Sequence, residues 1–446
     1  MNTPPARDRW YVLLVLTLVY ALSIADRFSI STLIEPIRLE LHLSDSGIAF
    51  LTGVALALFY VTVGIPVALL ADRANRRNIL AISLALWSGM TALCGLAQNY
   101  VQLLLARFGV GIGEAGGTPP ATSMLADKFP PHKRPMALTI FALGACLGAW
   151  LGSSIVGAVA ERGGWRAAFL VLGIPGLIVA LLVRLTVREP RRGELDSSVE
   201  TLPPATLVAT LTYVFRRRSA LHLLLGGSVA TFWSWGLMWW LPTFLVRSHH
   251  LTVGQAGGVL GPMHLIAGTA ATVLASWLMS RPAAANPRYI AHLLAWVTAV
   301  TTVPSILLFV VHSELLTKAL LWIFVPSVYF YIGPILGLLQ NVVPPRMRAT
   351  TCALLLFTAN IANLVIAPQL IGWLSDWFAS DFHADTESLR WALILLAPTG
   401  FWAAWHFTAA RATIVADEAT ASGLHVQYEH AGTTQDRDRP IRESQR

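Results

Sequence analysis

The chain has 446 residues, of which 55% are hydrophobic and only 13% charged, against about 25% charged residues in soluble domains. Its net charge of +8 does not point to nucleic acid, because the basic residues fall in short loops between apolar runs and form no continuous stripe. The three cysteines, Cys94, Cys146 and Cys352, lie far apart within apolar runs, which excludes a disulfide framework or a metal-ligand spacing, and no cofactor is expected.

A bilayer core about 30 Å thick takes roughly 20 apolar residues per helix. On that measure twelve spans are predicted, near 11–34, 47–70, 79–97, 100–124, 136–160, 166–187, 220–246, 254–280, 289–311, 318–340, 348–374 and 389–410. The first is too long for a signal-peptide core, and no small-residue cleavage site follows it. The fold class is therefore an all-α integral membrane protein of twelve transmembrane helices in two pseudo-symmetric six-helix bundles. Residues 1–187 and 219–411 form the bundles, and 188–218, the longest polar, Pro-rich and basic stretch inside the chain, links them. Residues 412–446 are polar, mixed in charge and poor in aromatics, and are predicted to be a disordered cytoplasmic tail.

Orientation follows from lysine and arginine. Arg7, Arg9, Arg73, Arg76, Arg77, Lys128, Lys133, Arg134, the run from Arg184 to Arg218, Arg281, Arg288, Arg346 and Arg348 share one side. The opposite loops hold Arg38, Arg162, Arg166, Arg247, Lys318 and Arg390. Both termini are placed in the cytoplasm of a multi-pass protein of the cell membrane, a bacterial inner membrane, and a monomer is expected.

The first span contains "LSIADRFSIST" (22–32), with Asp26 and Arg27 side by side. An ionised side chain at mid-bilayer costs roughly 2.5–3.5 kcal/mol on insertion scales, so each needs a partner or a wet cavity. Adjacent helical residues point about 100° apart and cannot both face one neighbour. In the fourth span, Arg107 and Glu114 are seven apart and share one face, about 10 Å apart along the axis. Arg27 is predicted to turn toward Glu114, and Asp26 toward the central cavity or a second neighbour. A static network that merely holds the first and fourth spans together is the competing reading.

Between the second and third spans lies "GIPVALLADRANRRNIL" (64–80). Gly64 is read as a point of close helix approach. Asp72 is placed to pair with Arg76 or with helix ends of the neighbouring bundle, forming with Arg73 and Arg77 a cytoplasmic gate; a simple positive stop signal is the alternative. Gly144, Gly148 and Gly152 in the fifth span form a helix-packing face. The run "FWSWGLMWWLP" (232–242) reads as an interfacial aromatic belt, with one or two rings lining a path for an amphiphile. Tyr60, Tyr329, Tyr331, Asn360 and Asn363 are candidate cavity residues, as is His264, a proton relay or a packing histidine. An internal repeat at an offset of about 214 residues pairs "PPHKR" (130–134) with "PPRMR" (344–348). It also pairs "GAVAE" (157–161) with "GWLSD" (372–376), both Gly-x-x-x-acid.

Twelve spans, a central basic loop and the 64–80 motif resemble the major facilitator superfamily, over nearly all of residues 10–410. The aspartate is missing from the corresponding second-half loop, "SWLMSRPAAANPRYI". "ARFGVGIGEAGGTPPATSMLADKFPPHKRPMAL" (106–138), together with "ADR" in the first span, resembles the Spinster-like branch. That resemblance implies proton coupling and substrate handling by Asp26, Arg27, Arg107 and Glu114, and in eukaryotic members lysolipid and sphingolipid-phosphate cargo.

The function predicted is a secondary active transporter working by alternating access, with Asp26 and Glu114 coupling protons and Arg27 and Arg107 tuning them. The substrate is either an amphiphilic, lysolipid-like molecule or a small organic anion. The chain has no G-x-x-x-x-G-K-[ST] loop for ATP, and no nucleophile–base pair suggests an enzyme. A non-transporting receptor or sensor on a transporter fold is the alternative.

Overall fold

The computed structural model describes residues 6–130, 133–190, 205–382 and 387–435. Helix α1 (Ala6–Thr32) fills the first apolar run, and a short α2 (Ile34–Glu40) follows it. The second run begins at α3 (Asp45–Ala49), where Ser44 Oγ accepts the Gly47 N–H at 3.1 Å. It passes through a π turn at Phe50–Val54 into α4 (Ala55–Arg73). Helix α5 (Arg76–Cys94) starts under an Asn75 cap. The glycine-dense fourth span is broken at Gly116 and Gly117 into α6 (Tyr100–Glu114) and α7 (Thr118–Lys128).

Helix α8 (Arg134–Trp150) continues through a π turn at Leu151–Ile155 into α9 (Val156–Thr186). Helix α9 changes direction at Gly164, whose φ of +76° lies in the left-handed region open to glycine. The fifth and sixth predicted spans therefore follow one another directly across this kink, with no intervening loop. In the C-terminal half, α10 (Leu207–Arg216) precedes α11 (Arg218–His249), and α12 (Val253–Pro262) continues through a π turn at Met263–Gly268 into α13 (Thr269–Met279). Helices α14 (Pro287–Val310), α15 (Glu314–Phe330) and α16 (Ile332–Asn341) follow. Then come α17 (Arg348–Asn360), a π turn at Ile361–Ile366, α18 (Ala367–Phe382), α19 (Ser388–Leu396) and α20 (Thr399–Gln435).

The architecture is all-helical among the described residues, where nine segments are long and apolar enough to cross a membrane. The difference from twelve has identifiable sources. The segment Met136–Thr186 holds two predicted spans, the fourth is split at its glycines, and α11 is not among the nine. Two boundary expectations also change. Residues 207–216, placed in the polar linker, form α10, whose first turn is capped by Thr206 Oγ1 accepting from Ala209 N–H at 3.2 Å. The segment from 412 to 435, predicted to lack structure, continues α20.

Small residues set the close contact between the first and fifth spans. A Cβ on Gly148 or Gly152 would sit 2.3 Å from Ala21 O or 2.4 Å from Ala25 O, so α8 closes directly on the backbone of α1. That contact holds the Asp26–Arg27 segment against the core. The tryptophans of α11 depart from the belt reading: Trp233 and Trp240 are 2% and 0% exposed. Trp233 Nε1 donates to Ser305 Oγ at 3.1 Å, inside the helix packing.

Candidate transport site

Four ionisable residues meet where α1, α5 and α6 converge. Arg27 Nε donates to Glu114 Oε2 at 2.9 Å, and Arg27 Nη2 lies 2.8 Å from the same oxygen. Arg107 Nη1 donates to Asp26 Oδ2 at 2.7 Å, and Thr91 Oγ1 to Asp26 Oδ1 at 2.5 Å. The seven-residue spacing of Arg107 and Glu114 thus lets α6 catch both members of the adjacent pair on α1, one charge each. Asp26 does not line the central cavity; it pairs with Arg107 on the same helix that holds Glu114, with Thr91 of α5 as its second contact. The expectation that adjacent charges cannot both face one helix is overturned, the long arginine side chains bridging the divergence. Thr91 is a member of the site that sequence reasoning missed: an isolated threonine in an apolar run carries no signal of its own.

The two pairs differ in access. Arg107 and Asp26 have side chains 0% and 2% exposed, whereas Arg27 is 17% exposed against 0% for Glu114. Arg27 lines a central cavity of about 310 Å³. Its walls are Tyr20 and Phe28 from α1, Trp235 and Trp239 from α11, Tyr329 from α15, and Asn360 and Asn363 around the end of α17. Arg27 and Arg107 also border a chamber of about 20 Å³ nearer Thr52 and Ser31. Glu114 Oε1 is buried without a hydrogen-bond partner among the described residues.

Tyr329, Asn360 and Asn363 therefore lie where the cavity reading put them. His264 does not line the cavity: it is 1% exposed, its Nδ1 lies 2.9 Å from Tyr329 Oη, and its ring packs edge-on against Phe28. Histidine here is a prop behind a cavity wall. The side chain of Tyr60 falls outside the described residues.

In the 64–80 motif, Arg76 is the buried element. It binds Asp127 Oδ2 at 2.5 Å, Glu189 Oε1 at 2.8 Å and Ser123 Oγ at 2.8 Å. Asp127 and Ser123 belong to the N-terminal bundle and Glu189 to the start of the linker, and the Arg77 backbone N–H also donates to Glu189, at 2.8 Å. Arg73 is exposed, and the side chain of Asp72 falls outside the described residues. Among the described residues, a Cβ on Gly64 would meet nothing within 4 Å, so no close approach of the kind expected is seen there.

At the opposite end the two halves bind one another. Arg247 at the end of α11 donates to both Asp45 oxygens at 2.7 and 2.6 Å, and to Glu35 Oε2 at 2.7 Å. Ser375 Oγ donates to Asp45 Oδ2 at 2.6 Å, and Ser154 Oγ to Gly257 O at 2.9 Å. The cavity is closed on this side by cross-half contacts. At the Arg76 end, bonds such as Lys128–Asp8 and Arg217–Asp417 stay within one half.

The family model of the major facilitator superfamily matches residues 16–367. The chain belongs to that superfamily. Within it the protein is a Spinster-like membrane transporter. It is 32% identical to an MFS-type efflux pump of Mycolicibacterium smegmatis over 395 residues, covering 87% of this chain and 89% of that one. It is 28% identical to the sphingosine-1-phosphate transporter SPNS2 of Danio rerio over 415 residues, covering 85% and 80% of the two chains. Among solved structures, it resembles a bacterial homologue of the human lysosomal transporter Spinster in an inward-facing, unoccupied conformation. That match has a TM-score of 0.79 and 29% identity, covering 93% of this chain and 99% of the other.

Proposed function

We propose that this Spinster-like protein is a proton-coupled secondary active transporter that moves an amphiphilic, lipid-like anion by alternating access. The observation carrying the reading is the asymmetry of the Arg27–Glu114 pair: the guanidinium reaches the cavity, while the carboxylate behind it is sealed from it. An anionic group entering the cavity competes for Arg27. Glu114, deprived of its partner in a low-dielectric site, is then neutralised most cheaply by a proton. Anion and proton movements are coupled through one guanidinium. Asp26, held by Arg107 and Thr91, is the second carboxylate of the relay.

The aromatic walls favour an amphiphile over a small organic acid. Phe28, Trp235, Trp239, Tyr20 and Tyr329 offer apolar faces, and Asn360 and Asn363 supply polar contacts to orient a ligand. The topology proposed with this activity is twelve crossings in two six-helix bundles, 1–187 and 219–411, joined by 188–218, with both termini cytoplasmic. Closure at the Arg247 end then makes this the inward-facing state, as in the Spinster homologue structure. The test is thermal stabilisation of the purified protein by lysophospholipids and by small organic acids, in the parent and in Arg27→Ala. Stabilisation by the lysophospholipid that disappears in Arg27→Ala supports the reading. Stabilisation that is independent of Arg27 contradicts it.

A further inference from the structure

The Gly-x-x-x-acid repeat, 157–161 and 372–376, is absorbed by neither the charge network nor the cavity, yet the structure puts both copies in matching places. In the second copy, Asp376 Oδ1 accepts the Asp45 backbone N–H at 2.8 Å and Oδ2 accepts that of Ser46 at 2.9 Å. A carboxylate in the second half of α18 thus caps the first turn of the long helical segment that begins at α3, across the boundary between halves. Four residues earlier, a Cβ on Gly372 would lie 2.7 Å from Asp45 O and 2.9 Å from Ser46 Cα, so glycine is what lets the carboxylate come this close.

In the first copy, a Cβ on Gly157 would lie 2.9 Å from Val253 O and 3.5 Å from the Cα atoms of Gly254 and Gly257. Four residues on, Glu161 Oε2 occupies the space beside Gly254, 1.7 Å from where its Cβ would stand. Gly254 is the second residue of α12, the C-terminal half's counterpart of α3. The correspondence extends to the backbone. The four π turns, at Phe50–Val54, Leu151–Ile155, Met263–Gly268 and Ile361–Ile366, fall in the second, fifth, eighth and eleventh predicted spans, which are the segments these two contacts join. Carboxylates at a helix N-terminus satisfy its free N–H groups and meet the positive end of its dipole.

We infer that Asp376 and Glu161 are paired latches of the outer gate. Each half's fifth-span carboxylate holds the N-terminus of the other half's second-span helix, and both contacts must break when the cavity opens toward that side. The inference rests on the alternating-access reading above but not on the proton or the substrate, so it is tested with neither. The two latches are not equal. Asp376 makes two charge-assisted bonds to backbone, while Glu161 is exposed and acts from the surface.

The experiment places spin labels at Leu39→Cys and Ser380→Cys, both exposed on the closing side. The background is Cys352→Ser, which leaves Cys94 and Cys146 buried. Inter-label distances are measured in lipid nanodiscs by pulsed electron paramagnetic resonance, without substrate or pH gradient. Asp376→Ala should raise the population at long distance at least about tenfold, and Asp376→Asn, which keeps one acceptor, by less. Glu161→Ala should raise it about threefold. Gly254→Ala, which leaves the acid intact but fills its seat, should match Glu161→Ala. An unchanged distribution in Asp376→Ala, or in Asp376→Asn if the alanine variant does not fold, overturns the latch at α3. A Gly254→Ala distribution identical to the parent overturns the latch at α12. Either failure leaves the transport reading to its own test, because stabilisation by lysophospholipid is measured independently.

Discussion

The two buried ion pairs on α1 use the same chemistry in different surroundings. Arg107–Asp26 is buried on both sides, Arg107 bordering only the chamber of about 20 Å³, and is reinforced by Thr91, whereas Arg27–Glu114 is sealed on the acid side and open to the large cavity on the base side. A sealed pair is held by the cost of stranding either charge. A half-open pair can exchange its partner, since a ligand anion can stand in for the carboxylate. One helix turn on α1 therefore carries one fully buried pair and one half-open pair, and the difference between them arises from packing and not from residue type.

The strongest way to break that comparison is to remove one member of the sealed pair. Arg107→Ala leaves Asp26 charged in a dry site and should destabilise the protein by about 3–5 kcal/mol. The double variant with Asp26→Ala should recover much of that, as read by thermal unfolding in detergent. Arg27→Ala should cost less stability, because its position is partly wet, but should lower transport of an anionic lysophospholipid by about 10- to 100-fold. If Arg27→Ala destabilised as much as Arg107→Ala, the contrast between the pairs would collapse.

Much of this site was legible in the sequence, for geometric reasons. Adjacent charges on a helix must diverge, and charges seven residues apart must align, which was enough to join Arg27 to Glu114. The place of Asp26 stayed open between cavity and neighbour, because the sequence does not show which way α6 faces; Arg107 fills it. Thr91 and the cavity-lining Phe28 are ordinary residues in apolar runs, so nothing in composition or spacing distinguishes them. Of the tryptophan run, Trp235 and Trp239 line the cavity as one or two rings were expected to, but its belt reading misled for a related reason. Aromatic residues near the end of a span suit an interface and a buried helix equally well, and Trp233 and Trp240 are in the core. The count of long apolar segments differs from twelve where two predicted spans meet directly at the Gly164 kink and where one is interrupted at Gly116 and Gly117, features of backbone geometry that hydropathy does not register.

A finer probe of the sealed pair is Thr91→Val, which deletes the 2.5 Å bond to Asp26 Oδ1 while keeping shape. It should cost about 1.5–3 kcal/mol of stability. It should also displace the pH dependence of transport, whereas a purely structural threonine would change the melting temperature and leave the pH profile where it was.

The smallest effect lies outside the membrane, at an exposed pair that resembles the buried ones only on paper. Glu40 accepts from Arg166 Nη1 at 2.5 Å and from Trp165 Nε1 at 2.7 Å. The bond from Arg166, then that from Trp165, holds its carboxyl below the ordinary value. Because the folded value is lowered, any stabilisation is present above the unfolded carboxylate value, about 4.3, and is lost as pH falls through the folded one. Solvent screening keeps it small, so Glu40→Gln should shift the melting temperature at neutral pH by no more than about 2 °C and leave it unchanged in acid.

The central claim, that the carboxylates paired with Arg27 and Arg107 couple protons to transport, is tested most directly in proteoliposomes. Uptake of a labelled lysophospholipid is measured with and without an imposed pH gradient for the parent, Asp26→Asn and Glu114→Gln, each verified as folded by its melting temperature. The parent should accumulate substrate when the gradient is imposed, while both variants should only equilibrate it, with rates indifferent to the gradient. Gradient-driven accumulation retained by both variants would contradict the account and leave the four charges as scaffolding between α1 and α6.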